Sequence, residues 1–221
     1  MSFLAPQRYD RAQVTVGNYD TLYDALNPAG DIARQHFVEW FSGGTLDSLW
    51  TQHTDATASQ GWDDSVNGGY KLTSGTTGSD KAAIWFNAIQ QYNATGHTLI
   101  VVMKPNSTTT GFHQTWMTSR TSMVTVSKGW MIDQRPGNAN YHLYNYDTGW
   151  SNTDTSVPKD TSYHKWKGTK DSTSIRIWNN DTLQAITTSQ LTSDDLAPLC
   201  NCQYNTTQTS MNILYLECFN T

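Results

Sequence analysis

Short stretches of strand-forming residues, separated by turn-forming residues roughly every 8–12 positions, dominate this sequence from Phe37 to its end. Apolar and polar residues alternate at 69–73 and at 141–146, as they do in a strand with one buried face. Many short strands with regular turns are typical of a β-sandwich or a β-barrel. The sequence contains neither a glycine-rich phosphate loop nor an alternation of strands with helices, so it gives no support to an α/β fold. The sequence therefore predicts an all-β domain.

Other stretches predict strands that are covered on both faces. Residues 82–86, 98–103 and 211–219 are almost continuously apolar, which favours strands without a solvated side. Residues 174–178 and 182–186 flank an Asn-Asn-Asp turn and predict a hairpin. Further strands are predicted at 123–126 and 130–133, and a short helix that Asp194 and Asp195 would cap is predicted to begin at Ser193.

Composition excludes several classes of function. Charged residues make up only 15% of the chain, the net charge is -5 and no basic block is present, so we expect no nucleic-acid partner. The longest strongly apolar run, residues 99–103, is too short to span a bilayer, so we expect no membrane insertion. Cys200, Cys202 and Cys218 are predicted to be buried free thiols, with a disulfide to Cys218 as the alternative.

The chain divides into two parts of different character. Residues 1–36 carry several Arg and Asp residues and show little alternation, whereas residues 37–221 hold the predicted strands. The first part has too little apolar surface to fold alone, so we interpret it as a docking arm; a flexible tail is the alternative. The residues expected to dock are Arg8, Tyr9, Arg11, Leu22, Tyr23 and Leu26.

Three segments together resemble the concanavalin A-like jelly-roll superfamily, which includes laminin-G-like domains, pentraxins and certain glucanases. They are Phe-Ser-Gly-Gly-Thr-Leu-Asp-Ser-Leu-Trp at 41–50, the His-bearing hairpin at 163–185 and the closing strand at 211–220. The resemblance implies a jelly-roll β-sandwich of two antiparallel sheets over residues 37–221. In the first segment it implies core aromatics, glycines with positive φ and Asp47 as a cap before Trp50.

More narrowly, the chain resembles laminin-G-like structural proteins of tailed bacteriophages. The likeness lies in the short arm, the opening His-Phe-Val-Glu-Trp-Phe from His36 and the close Tyr-Leu-Glu-Cys-Phe-Asn-Thr from Tyr215. It implies a non-enzymatic virion protein, for capsid decoration, cementing or a fibre. Its arm would bind other virion proteins, and its sandwich would self-associate, with a trimer as one option. The start of the chain has no signal peptide, so we expect synthesis in the host cytoplasm and location in the virion.

The acidic residues do not predict a glycosidase. Glucanases of the superfamily carry two catalytic glutamates on one strand, and a retaining mechanism needs two carboxyl groups about 5–5.5 Å apart. Here Glu39 and Glu217 are the only glutamates and lie at opposite ends of the domain. We therefore expect no enzyme, and we interpret Glu39 as an edge or interface residue. The six histidines form no catalytic or metal-binding motif and are interpreted as surface or strand-face residues.

A carbohydrate-binding module is the alternative function. Sugars bind to exposed aromatic rings flanked by amides and carboxylates, and two tryptophans lie in polar, loop-like sequence. The candidate glycan platform comprises Trp62, Asp63, Asp64, Trp150 and Asn152. The competing interpretation of both tryptophans is packing, since Trp is mostly buried. No cofactor is predicted; a structural calcium ion held by distant loops stays an alternative whose ligands the sequence does not locate.

Overall fold

The computed structural model describes residues 36–63, 69–86, 92–119 and 128–221. These residues form two antiparallel β-sheets, which confirms the predicted all-β sandwich. No helix that could cross a membrane occurs in the described ranges. The strands are β1 (His36–Trp40), β2 (Trp50–Thr54), β3 (Ser59–Trp62), β4 (Tyr70–Thr73), β5 (Lys81–Phe86), β6 (Gly96–Pro105), β7 (Phe112–Thr118), β8 (Gly129–Gln134), β9 (Asn140–Tyr146), β10 (Trp150–Pro158), β11 (His164–Asp171), β12 (Ile175–Asn179), β13 (Thr182–Thr187), β14 (Ala197–Gln203) and β15 (Ser210–Asn220).

The two sheets differ in how their strands are ordered. The seven-stranded sheet runs β10-β9-β8-β7-β14-β5-β2, and the eight-stranded sheet runs β13-β12-β11-β6-β15-β4-β3 with β1 also paired to β15. The two halves of β15 pair with different partners on the same side: residues 210–213 with β4 and residues 215–219 with β1. The register shifts at Leu214, whose carbonyl oxygen accepts a hydrogen bond from Phe41 N.

Turn chemistry matches the sequence at two places. In the β12–β13 hairpin, Asn180 and Asp181 have φ of 48° and 68°, as a two-residue turn of this hand requires. In the opening segment, Gly43 and Gly44 have φ of 103° and 98°, which L side chains rarely adopt. Asp47 caps the turn that follows, since its Oδ1 accepts from Leu49 N at 2.8 Å. These predictions are confirmed.

The core fills the space between the sheets, and its largest members are fully buried aromatics. Trp130 of β8 and Trp166 of β11 come from opposite sheets, and Tyr141 packs on Trp166 with ring centroids 4.9 Å apart. Gly168 makes room for Trp130, because a Cβ at Gly168 would lie 2.2 Å from the Cη2 atom of Trp130. Cys200, Cys202 and Cys218 are buried free thiols, as predicted.

Two histidines lie in the core and hold neutral hydrogen-bond networks. His97 Nδ1 lies 2.8 Å from the carbonyl oxygen of Asn93, and His97 Nε2 accepts from Trp130 Nε1 at 3.0 Å. His113 bonds Gln134 through Nδ1 and Thr209 Oγ1 through Nε2. Burial lowers the pKa of both imidazoles to about 4. Of the two alternatives, surface or strand face, the structure agrees with the second: both histidines lie on the inner faces of strands.

The structure corrects the predicted short helix and refines the interpretation of Glu39. No helix begins at Ser193, because Leu196 forms an extended bridge with Tyr92 and Asp195 Oδ1 accepts from Ala94 N at 3.0 Å. Glu39 lies on β1, which pairs only with β15 among the described strands, so its interpretation as an edge residue agrees with the structure. The alternation of β1 places its side chain on the same face as Phe37, where it points inward and is only 2% exposed.

Several predictions fall outside the described residues. These are the strand at 123–126, Asp64 of the candidate glycan platform and the named docking residues of the arm, Arg8, Tyr9, Arg11, Leu22, Tyr23 and Leu26. His36, the last residue of the predicted arm, is described and begins β1.

Candidate functional site

The outward-facing side chains of the seven-stranded sheet are ordered in rows that cross all seven strands. One row is made of residues paired directly across neighbouring strands, and most of its members are polar; we call it the polar row. Directly paired residues of antiparallel strands share one face of a sheet, so these side chains lie next to one another. From β2 to β10, the polar row comprises His53, Ala83, Asn201, Gln114, Asp133, His142 and Asp154.

The next row on the same face is mainly aromatic and apolar, and we call it the aromatic row. Its members lie two residues from those of the polar row on each strand, so the two rows run side by side. Trp85 and Trp116 of this row pack against the buried Leu199 and Ala83. From β2 to β10, the aromatic row comprises Thr51, Trp85, Leu199, Trp116, Met131, Tyr144 and Asn152.

Hydrogen bonds join the middle of the polar row into one chain. Asn201 Nδ2 donates to Gln114 Oε1 at 2.9 Å, and Gln114 Nε2 donates to Asp133 Oδ1 at 2.9 Å. The other carboxylate oxygen of Asp133 accepts from Arg135 Nε. The three strand residues are at least nine-tenths buried, so their amides and carboxylate are held in fixed positions.

Arg135 links the polar row to the aromatic row. Its guanidinium carbon lies 3.8 Å from the ring centroid of Tyr144, in a cation–π contact, while its Nε binds Asp133. Burial raises the pKa of Asp133, and the neighbouring Arg135 charge and the Gln114 hydrogen bond counteract part of that effect. At the end of the row, hydrogen bonds from Ser156 N and Asn140 lower the pKa of Asp154.

Two buried polar atoms of the polar row have no hydrogen-bond partner among the described residues. They are Asn201 Oδ1 and His142 Nδ1. Buried polar atoms are normally paired, because each unpaired one costs about 1–3 kcal/mol. Both atoms are inaccessible to solvent, so a ligand could pair them only after neighbouring side chains move.

Trp150 lies on top of an aromatic cluster at one end of this face. Its ring centroid is 4.9 Å from that of Tyr146, 6.5 Å from that of Tyr144 and 6.1 Å from that of Trp116. Trp150 is nevertheless 53% exposed, so a large part of the indole is free to contact a ligand. Aromatic support below and solvent above make Trp150 a rigid platform.

The structure separates the residues of the predicted glycan platform. Trp150 and Asn152 lie on β10 of the seven-stranded sheet, on the face that carries the polar and aromatic rows. Trp62 ends β3 of the other sheet, where its ring packs edge-on against Tyr70 at 5.1 Å. Asp63 Oδ2 accepts from Asn212 Nδ2 at 2.9 Å. Both tryptophans lie in strands, so the interpretation of their sequence as loops is wrong.

Sequence reasoning missed most of the polar row, including Asn201, Gln114, Asp133 and His142. Their polarity was visible, but their proximity depends on strand pairing between distant parts of the chain. The described residues contain no group of three or more His, Cys, Asp or Glu side chains that could hold a metal ion.

Comparison with known proteins finds similarity in structure. No protein-family model matches the chain, and no curated protein sequence matches it. The β-glucanase of Bacillus licheniformis is 12% identical, with a TM-score of 0.61 over 85% of this chain and 99% of that one. A β-1,3-1,4-glucanase (lichenase) derived from a mouse hindgut metagenome is 10% identical, with a TM-score of 0.62 over 85% of this chain and 100% of that one.

A third solved structure is a binding domain. The carbohydrate recognition domain of Emp46p, in a metal-free form, is 12% identical, with a TM-score of 0.56 over 78% of this chain and 88% of that one. Identities this low show the fold alone. The fold is a concanavalin A-like jelly-roll sandwich of two antiparallel sheets, as the resemblance of the three sequence segments implied.

Proposed function

We propose that this protein binds a neutral carbohydrate chain along the outer face of its seven-stranded sheet. The observation that carries the proposal is the polar row lying beside the aromatic row, with Trp150 as an exposed platform at one end. Six strand spacings make the rows about 29 Å long, which suits an oligosaccharide better than a single sugar ring.

The chemistry of the two rows complements that of a sugar. A sugar ring has an apolar C–H face, which packs on an aromatic ring, and hydroxyl groups at its edge, which need fixed polar partners. Trp150 and Trp116 supply the rings, and the partly exposed His142 and the exposed Asp154 supply polar partners. The Asn201–Gln114–Asp133 chain lies buried beside them.

The charges of this face favour a neutral ligand. Neither row contains Lys or Arg, and the nearby Arg135 is already paired with Asp133. Asp154 adds a negative charge at the end of the polar row. A uronic acid or a sulfated sugar would therefore meet a negative charge at Asp154 and no lysine or arginine within the two rows.

The geometry favours binding without cleavage. Among the described residues, the strands of this sheet carry only two carboxylates, Asp133 and Asp154. Both pair with His142 of β9 from either side, so they lie two strands and about 10 Å apart, rather than the about 5–5.5 Å of a retaining glycosidase. Both oxygens of Asp133 already accept hydrogen bonds. We therefore propose a binding protein, and measurable release of reducing ends from a bound polysaccharide would contradict this.

The solved structures named above lend support of a general kind. Two are glucanases and one is a carbohydrate recognition domain, so a carbohydrate ligand is consistent with this fold.

An array of neutral and anionic polysaccharides tests the proposal. We expect binding to at least one neutral polysaccharide and weak or no binding to sulfated and uronic ones. Trp150→Ala should weaken that binding, whereas Trp62→Ala, on the other sheet, should leave it unchanged. Binding confined to anionic polysaccharides, or no binding at all, would refute the proposal.

The second candidate is the structural role implied by the phage resemblance, in which the protein decorates, cements or extends a virion. The observation that favours it is the exposed apolar surface on β1, where Val38 and Trp40 are 42% and 51% exposed. Deleting residues 1–36 should then abolish association with particles while the sandwich stays folded. Full particle binding by the truncated protein would contradict the arm's role.

A further inference from the structure

The outer face of the eight-stranded sheet is a second organised surface, and we call the part formed by β1, β15, β6, β11, β12 and β13 the back face. Its middle row follows the strand pairing across all six strands: Val38, Glu217, Ile100, Lys167, Trp178 and Leu183. Four of the five large hydrophobic residues that are exposed among the described residues lie on the back face: Val38, Trp40, Leu183 and Ile186. Such a concentration marks an interaction surface.

The exposed apolar side chains lie at the two ends of the back face. Val38 and Trp40 belong to β1 at one end, and Leu183 and Ile186 belong to β13 at the other. Trp40 packs on Tyr215 with ring centroids 4.5 Å apart, so this end is rigid. A surface with one apolar patch at each end fits a copy of itself that is turned end for end.

The charges of the back face are also divided between its halves. Glu217 of β15 lies in the first half, where it is hydrogen-bonded to Tyr215 Oη at 2.6 Å and His36 Nε2 at 2.9 Å. Lys167 and Arg176 lie in the second half, where the Lys167 ammonium lies 5.1 Å from the ring centroid of Trp178. Arg176 is already paired with Asp171 at 2.6 Å, so the opposite charges that the two halves offer each other are those of Glu217 and Lys167.

We infer that the back face is the interface of a two-fold dimer of this chain. The two-fold axis runs parallel to the strands and between β6 and β11, so that β1 of one copy faces β13 of the other. This arrangement places Val38 against the partner's Leu183. It also places Glu217 against the partner's Trp178 and beside the partner's Lys167. A self-complementary surface of this kind closes with two copies, unlike a trimer.

The size of the back face fits such an interface. Five strand spacings span about 24 Å, and the eight residues of β11 run about 26 Å, which gives a plan area of roughly 600 Å². Side-chain relief raises the accessible area toward the ~800 Å² that each partner buries in a standard interface. The dimer leaves the outer face of the seven-stranded sheet open, so it does not depend on the carbohydrate proposal.

Sedimentation velocity of the full-length protein, over about 1–100 µM, tests the dimer. We expect a dimer for the native sequence. Val38→Glu and Leu183→Lys should each weaken dimerisation by about tenfold or more, because each introduces an unpaired charge into an apolar contact. The double variant V38E/L183K should restore dimerisation, since the two new charges meet across the interface. Asn152→Glu, on the other sheet, is the matched control and should have no effect.

Both substituted side chains are exposed, so the variants are expected to fold, and thermal unfolding verifies this. A change in dimerisation can therefore be attributed to the interface. A native protein that stays monomeric at about 100 µM would overturn the inference. So would single variants that dimerise like the native protein, or a double variant no better than its weaker parent.

Discussion

Trp116 and Trp150 lie on strands three places apart in the seven-stranded sheet, yet their ring centroids are only 6.1 Å apart. In a flat sheet those strands would be about 14 Å apart. Both side chains therefore reach toward each other over β8 and β9. The two rings and the buried polar row beside them form the surface that we call the binding face.

The buried amide of Gln114 is expected to be essential to the stability of this face. Gln114→Glu would place a second carboxylate next to Asp133, where an amide now donates at 2.9 Å. Like charges this close raise the pKa of the pair, so the variant should lose stability at pH 7. A raised carboxyl pKa in the folded state means that the lost stability returns as the pH falls toward 5. Urea unfolding at pH 7 and pH 5 measures the difference.

The control for that prediction is Gln203→Glu, at the end of β14 beside Lys81 in the β5 pairing. This side chain is partly exposed, and its new charge would face a lysine. Equal loss of stability in the two variants would contradict the special position of Gln114.

Two core histidines predict how stability depends on pH. His97 and His113 have a pKa of about 4 in the folded protein, below the ordinary value of 6.5. The unfolded chain therefore takes up protons first, so the stability these residues provide is complete above about pH 6.5 and is lost as the pH falls toward 4. The loss is on the order of 3 kcal/mol for each histidine.

Urea unfolding at pH 7 and pH 4.5 checks this dependence. His113→Gln should reduce the slope of stability against pH, because one of the two titrating groups is removed. A native protein equally stable at both pH values would show that the two imidazoles are not held neutral.

Replacement of Gly168, the glycine of β11, is predicted to destabilise the fold. Gly168→Ala would push a methyl group to 2.2 Å from Trp130, which is fully buried and bound to His97. Overpacking of this kind costs about 1–3 kcal/mol, because Trp130 cannot move without breaking its hydrogen bond. Gly61→Ala is the matched control, since a Cβ there has nothing within 4 Å. Similar free energies of unfolding for the two variants would contradict the packing account.

The sequence predicted the features that depend on local pattern. Alternation at 141–146 located β9, and the Asn-Asn-Asp turn located the β12–β13 hairpin with its positive φ values. Polar residues before Leu196 resembled a helix start, but the bridge to Tyr92 imposed an extended backbone. That bridge joins residues about a hundred positions apart, and a local cap signal is too weak to compete with it.

The site was harder to predict because strand pairing creates it. Asn201 is adjacent to Gln114 only because β14 pairs with β7 in one particular register. A shift of that register by one residue would turn Asn201 into the core. Trp150 was identified because it is a single large residue in polar sequence, which needs no knowledge of pairing. The other members of the polar row could not be recognised by their polarity, because the chain contains many other polar residues that lie elsewhere.

Calorimetric titration with an oligosaccharide from the neutral polysaccharide that binds most strongly tests the central claim most directly. The native protein, Trp150→Ala and Trp40→Ala form the set, because Trp150 and Trp40 are almost equally exposed but lie on opposite sheets. We expect Trp150→Ala to weaken binding by about tenfold, close to 1.4 kcal/mol, and Trp40→Ala to leave the affinity unchanged. Unchanged affinity in Trp150→Ala, with a loss in Trp40→Ala, would show that the carbohydrate does not bind to the seven-stranded sheet.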